Sequence, residues 1–193
     1  MKSSFVFAVV LGIIIAQSHV GESGRMPCLS QICASNPSNE IRGCDRQGCG
    51  GYGASRSKQV GEKTLRYRHK GIDIVCDPGS DIYSPIPATV TRVRIPLGGA
   101  KNVGRVHNVG VLMKGRGIWS AYEVTLFYVK VKDELMGTDV DEGTIIGEMT
   151  DMATEYGNDG KRDMTNHVHL QLELRRMNEN DPDRYVDTTH FRC

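Results

Sequence analysis

Residues His167–Leu174 read HVHLQLEL and alternate polar and apolar without a break. Period-two alternation over eight residues is the pattern of a β-strand with two different faces. Val168, Leu170, Leu172 and Leu174 share one face, and His167, His169, Gln171 and Glu173 share the other. At a rise of roughly 3.3 Å per residue the two histidine α-carbons lie about 7 Å apart, so both imidazoles can address one cavity.

A partner for that pair is present in residues 68–79, RHKGIDIVCDPG. His69 and Asp73 stand four residues apart, which in a straight strand separates them by roughly 13 Å, too far to share an ion. Gly71 lies between them, and a bend or bulge there would bring the side chains together. His69, Asp73 and one histidine of the HVH run would supply two nitrogens and one carboxylate. That is a three-ligand zinc set with a fourth position for water. Each motif alone is weak, because a histidine pair is commonly just a polar strand face. Together, in a chain with six histidines, they reinforce each other.

The remaining pattern is strands and turns. Short β-branched or alternating runs occupy residues 72–76, 81–84, 88–93, 109–113, 124–129 and 144–147. Asp77-Pro78-Gly79, Gly98-Gly99, residues 114–117 and Glu142-Gly143 punctuate them. Glycine, at 22 of 193 residues, and the absence of long amphipathic blocks point the same way. The expectation is a mainly β fold, one antiparallel β-sheet domain over residues 61–193, with residues 151–166 as a polar loop. Residues 21–60 are rich in Gly, Ser, Asn and Cys, show little periodicity, and read as an irregular arm fixed by disulfides.

The first twenty residues read as a secretory signal: Lys2, an apolar run from Phe5 to Ala16, then small residues. That run is too short for a comfortable membrane span, and no later segment in the sequence could cross a bilayer. A secreted, extracellular chain is the expectation. In that compartment Cys28, Cys33, Cys44, Cys49, Cys76 and Cys193 read as disulfides, although spacing leaves about fifteen pairings open. A zinc knuckle from Cys28/Cys33 and Cys44/Cys49 is the rival, at the loose end of zinc spacing. Net charge is +1, so no long-range field argues for nucleic acid or an anionic membrane. Arg175-Arg176 reads as a solvated strand end.

The stretch HKGIDIVCDPGSDIYSPIPATV resembles the entry motif of lysostaphin-type metallo-endopeptidases, with Ser84 where that family usually has Ala. VDEGTIIGEM is similar to their later turn, and HVHLQLEL to their closing H-x-H strand. The arm segment SNEIRGCDRQGCGGYGASR resembles the leukocyte cell-derived chemotaxin 2 family, secreted vertebrate proteins on the same fold; KGRG and LFYVK are similar to it too. The resemblance implies zinc held by His69, Asp73 and His169, with His167 at a catalytic position beside the metal. It also implies pairs Cys33–Cys76 and Cys44–Cys49. The family's third disulfide has no counterpart here, and the leftover Cys28 and Cys193 are expected to pair. The active enzymes carry a second histidine in a Tyr-x-His-like run. The matching run here is Phe127-Tyr128-Val129-Lys130, so Lys130 is expected where that histidine stands and Tyr128 is read as packing.

These resemblances imply a secreted, zinc-binding chemotactic or signalling protein on an inactive peptidase scaffold. Its partner would be a cell-surface receptor or another extracellular protein. The alternative is an active zinc endopeptidase cutting glycyl peptides or peptidoglycan. A third reading is a sugar- or wall-binding module using Trp119 as a surface aromatic, although a lone Trp is more often core.

Overall fold

The alternating run at His167–Leu174 becomes the strand around which the largest sheet is built. A computed structural model describes residues 27–45, 47–96, 107–157, 164–178 and 180–191. The expected signal segment, Gly98-Gly99 and Cys193 lie outside the described residues. In chain order the strands are β1 (Cys44–Asp45), β2 (Gly48–Cys49), β3 (Ser55–Val60), β4 (Lys63–Arg68), β5 (Ile72–Val75), β6 (Asp81–Tyr83) and β7 (Ala88–Arg94). They continue with β8 (Gly110–Gly115), β9 (Tyr122–Phe127), β10 (Val129–Val131), β11 (Asp139–Val140), β12 (Ile145–Met149), β13 (His167–Leu174) and β14 (Tyr185–Val186).

The large sheet runs β11-β7-β8-β9-β13, antiparallel at every step. The other edge of β13 is divided. His167–Leu170 pairs with β5, and Leu172–Glu173 pairs with β14. A second sheet has the order β10-β12-β6. The protein is mainly β and antiparallel, as the alternation and turn spacing predict.

Alternation sets the core. Val168, Leu170 and Leu172 are fully buried with Ile72 and Ile74 of β5 and Val124 and Leu126 of β9. Burying each such side chain contributes about 1.5–3 kcal/mol. The opposite face of β13 is buried as well, for His167 and Glu173 are both covered. The N-terminal arm adds to both faces: Arg42 and Gly51 reach Asp73 and His69 on the histidine side. Leu29, Ile32 and Cys33 belong to the same core cluster, and Ile41 bridges to Ile74. Cys33 is bonded to Cys76 and Cys44 to Cys49; Cys28 is also disulfide-bonded. The 60/61 boundary expected between arm and domain falls in the turn of the β3–β4 hairpin.

Two local expectations differ from the structure. Residues 124–129 are not one strand: β9 ends at Phe127, Tyr128 takes φ 67°, and β10 starts in the second sheet. Hydrogen bonds fix that corner, from Tyr128 N–H to Val109 O at 2.7 Å and from Thr150 N–H to Tyr128 O at 2.9 Å. Residues 151–166 are not all loop, because Met152–Gly157 form a short helix, α1. Asp151 caps it by accepting from Thr154 N–H at 3.0 Å, which satisfies an otherwise unpaired amide. Trp119 is in the core, as a lone Trp more often is, and not at a sugar-binding surface. It is 2% exposed and packs against Tyr122 and Phe191 with ring centroids 5.8 and 6.0 Å away.

Candidate metal centre

Pairing of β5 with β13 sets Asp73 directly opposite His169. Ile72 and Ile74 enter the core, so alternation turns Asp73 to the other face, the face of His167 and His169. His69 comes from before β5. The chain bends at Gly71, and a Cβ there would stand 2.1 Å from the Leu170 carbonyl oxygen, so only glycine permits this approach. The His69 backbone is held by the arm, with its N–H on Ala54 O at 2.9 Å and its carbonyl taking Gly53 N–H at 2.8 Å.

Three donor atoms converge as a result. His69 Nε2 lies 3.1 Å from Asp73 Oδ1, His169 Nδ1 lies 2.8 Å from the same oxygen, and the two nitrogens are 2.9 Å apart. His167 Nε2 stands slightly back, 3.5 Å from Asp73 Oδ1. Among the described residues these three, His69, Asp73 and His169, form the group with metal-ligand geometry. The cysteines are not part of it, and the four at positions 33, 44, 49 and 76 are paired in disulfides.

The atoms behind the donors decide what the donors offer. His69 Nδ1 is 2.8 Å from Gly51 O, and His167 Nδ1 is 2.6 Å from Thr165 O. A carbonyl can only accept, so each Nδ1 carries the proton and each Nε2 of the neutral ring presents a lone pair. This is the backing that metal-bound histidines show. Arg42 and Arg56 both donate to Asp73 Oδ2, at 2.8 and 2.9 Å, and leave Oδ1 to the histidines. Burial alone would raise the Asp73 carboxyl. Its contacts with the His169 and His69 rings outweigh that and hold it well below the usual carboxylate range. Burial pushes His167 down to about 4 and lowers His169 too, so the rings are neutral at physiological pH. Within the chain's own atoms, one proton on His169 Nδ1 serves both Asp73 Oδ1 and the His69 Nε2 lone pair. With that proton moved to His169 Nε2, two imidazole nitrogens and one carboxylate oxygen fit a divalent ion such as zinc, His69 being braced by Gly51 O and Asp73 by Arg42 and Arg56.

The site opens to a cavity of about 430 Å³. Phe127 stacks on His169, and Tyr128 meets His167 edge-on at 5.6 Å between ring centroids. Met152 and Met164 line the same cavity. Lys130 does not stand at the site. It is exposed on β10, opposite Glu148 of β12, because the corner at Tyr128 carries the chain into the other sheet. Tyr128 is the residue of that run that faces His167. Arg42 and Arg56 are the site residues that sequence reasoning missed. They lie 31 and 17 positions from Asp73, and no local periodicity marks them.

An antiparallel sheet that sets a His and Asp entry stretch against a closing H-x-H strand defines a lysostaphin-type peptidase scaffold. The solved structures agree on the fold. The antimicrobial peptidase lysostaphin from Staphylococcus simulans superposes with TM-score 0.50 at 15% identity, over 86% of this chain and 53% of that one. Csd3 of Helicobacter pylori gives 0.52 at 14% identity, over 86% of this chain and 35% of that one. The LECT2 C-terminal domain family matches residues 26–159, and the chain belongs to that family. Leukocyte cell-derived chemotaxin-2 of Mus musculus is 29% identical over 157 residues, 81% of this chain and 86% of its own length. A Caenorhabditis elegans homologue is 31% identical over 95% of this chain and 48% of its own length. Myeloid protein 1 of Gallus gallus is 41% identical over 86 residues. The chain thus spans about half of the nematode protein, and the match covers 24% of the chicken one.

Proposed function

We propose that this chain is a secreted, zinc-binding signalling protein of chemotactic type, on a peptidase scaffold that does not turn over peptides. The observation that supports it is the contrast inside the cavity. His69, Asp73 and His169 bring three ligand atoms together, whereas the run that carries a second histidine in the resembling enzymes reads Phe127-Tyr128-Val129-Lys130 here and sets Tyr128, not a histidine, against His167. Zinc bound there would polarise a carbonyl and lower the pKa of a bound water. Peptide hydrolysis also needs a base for that water's proton and donors for the oxyanion. His167 offers one lone pair at Nε2 and serves one of these roles, not both. The zinc contributes to folding by tying the residue before β5 to the closing strand. The partner is a cell-surface receptor or another extracellular protein, and the leader at residues 1–20 directs export.

His167 also favours the second reading, an active endopeptidase, because it is kept neutral beside Asp73 with its free nitrogen turned to Oδ1. One assay separates the two. The zinc-loaded chain is incubated with pentaglycine-linked peptides and with peptidoglycan, and in parallel is tested for directed leukocyte migration. Migration without cleavage supports the signalling reading. Cleavage that disappears in His169→Ala establishes the enzyme instead.

A further inference from the structure

The net charge of +1 conceals a strong segregation. Residues 55–70, SRSKQVGEKTLRYRHK, hold six Lys or Arg and one acid, a local charge of +5. With 24 basic and 23 acidic residues in all, the rest of the chain keeps 18 and 22, a charge of −4. The positive segment is the β3–β4 hairpin and its exit. Every residue of β4 is exposed, including Leu65 at 45% and Tyr67 at 47%.

Register distributes the charge over both faces. Ser55 pairs with Arg68 and Ser57 with Arg66, so hydroxyls and guanidiniums share one face, while Lys63 lies beside the tip. Ser55, Ser57, Arg66 and Arg68 of that face, with Arg56 and Tyr67 of the other, line a cavity of about 620 Å³ beside the arm. One acid, Asp45, lines it too, but Arg42 already holds Asp45 at 2.6 Å. Arg68 spends one nitrogen on Gly53 O and Ser55 Oγ, at 3.2 and 3.3 Å, and Arg56 is committed to Asp73. Arg66, the rest of the Arg68 fork and Lys63 are left facing outward. Guanidiniums with neighbouring hydroxyls are donors for oxyanions.

We infer that the β3–β4 hairpin is a binding site for a linear sulfated polysaccharide. Arg66 and Arg68 share one face and Lys63 lies on the other at the tip, so the cations run along the roughly 20 Å of the hairpin and around its end, a length for a chain of anionic groups where a single anion would use one pocket. Charge on both faces is unlike a membrane-surface element, which needs one continuous apolar face. Tyr67 is the hairpin's one aromatic ring, too few for a base-stacking platform. The choice of an extracellular polymer rests on the export reading above. The chemistry is tested on purified protein, so it succeeds or fails whether or not the chain is secreted.

The probe is heparin, with affinity measured over a range of salt for the full mature chain. The native chain should bind heparin more tightly than a sulfonate exchanger of matched charge density. In K63S/R66S/R68S the slope of log affinity against log salt should fall by roughly two to three units, in the manner of lost polyanion contacts. The surface triple K130S/K132S/R176S should leave that slope unchanged. Melting temperatures confirm that each variant is folded, and the double K63S/R66S repeats the test should the first triple melt early. Equal losses in both triples, or elution from heparin at the same salt as from the exchanger, would overturn the site. So would tight binding to phosphatidylserine vesicles with none to heparin.

Discussion

The polar face of β13 buries charge at both ends, and the two ends are finished differently. At Glu173 the chain completes the cluster itself. Arg184 donates to Glu173 at 2.5 Å and to Glu123 at 3.0 Å, Thr125 donates to Glu173 at 3.3 Å, and Arg184 also reaches Met177 O. Each carboxylate there meets donors. At His167 and His169 only the outer oxygen of Asp73 is closed in this way, by Arg42 and Arg56. Its inner oxygen takes the His169 Nδ1 proton and otherwise faces the Nε2 lone pairs of His69 and His167, whose own protons are spent on backbone carbonyls. A buried network closed by its own donors holds a fold together. One left rich in acceptors asks for a cation.

The largest effect should come from the closed end. Arg184→Met leaves Glu173 buried without its guanidinium, and such a loss costs about 3–5 kcal/mol. Denaturant melts should show that loss equally with zinc and with a chelator, since the ion takes no part there. The open end should behave oppositely. At a free zinc level about a hundredfold above Kd, binding adds about 2.7 kcal/mol. For a chain of this size that is roughly 5–10 °C in Tm. Chelation should lower the wild-type Tm by that amount and leave His169→Ala where it was.

Acid should loosen the same end. His167 titrates at about 4 in the fold and near 6.5 unfolded, so between those values the unfolded chain binds more protons. Stability therefore rises with pH across that window and is lost as pH falls from about 6.5 towards 4. Asp73, held low in the fold, adds a further loss only once pH drops below its ordinary value of 3.8. Melts of His167→Gln should show a flatter slope between pH 6.5 and 4. The smallest effect expected is that of Arg56→Met. It removes one of the two guanidiniums behind Asp73 and should weaken zinc about tenfold by competition titration, with little change in chelated stability.

Much of this was legible in sequence, and the gaps have physical causes. Strict alternation in HVHLQLEL defined both faces of β13, and Gly71 marked the bend that brings His69 to Asp73. Periodicity reports only that a residue leaves one face, not what then covers it. The arm, without any period, reads as irregular, yet Leu29 and Ile32 enter the core and Arg42 enters the site. Tyr128 carries a positive φ with a bulky side chain, a conformation that local propensity disfavours and tertiary hydrogen bonds impose. Reading through it as a continuous strand misplaced Lys130. The helix at residues 152–157 is too short for periodicity, though Asp151 ahead of Met-Ala-Thr-Glu was a start signal.

The zinc proposed for the acceptor-rich end of β13 depends on His169. The test is the zinc content of the purified chain and of His169→Ala, after both are equilibrated with the same zinc buffer. One zinc per wild-type chain and none in the variant is expected. Zinc retained by the variant, or absent from both while the chains are folded, would contradict it.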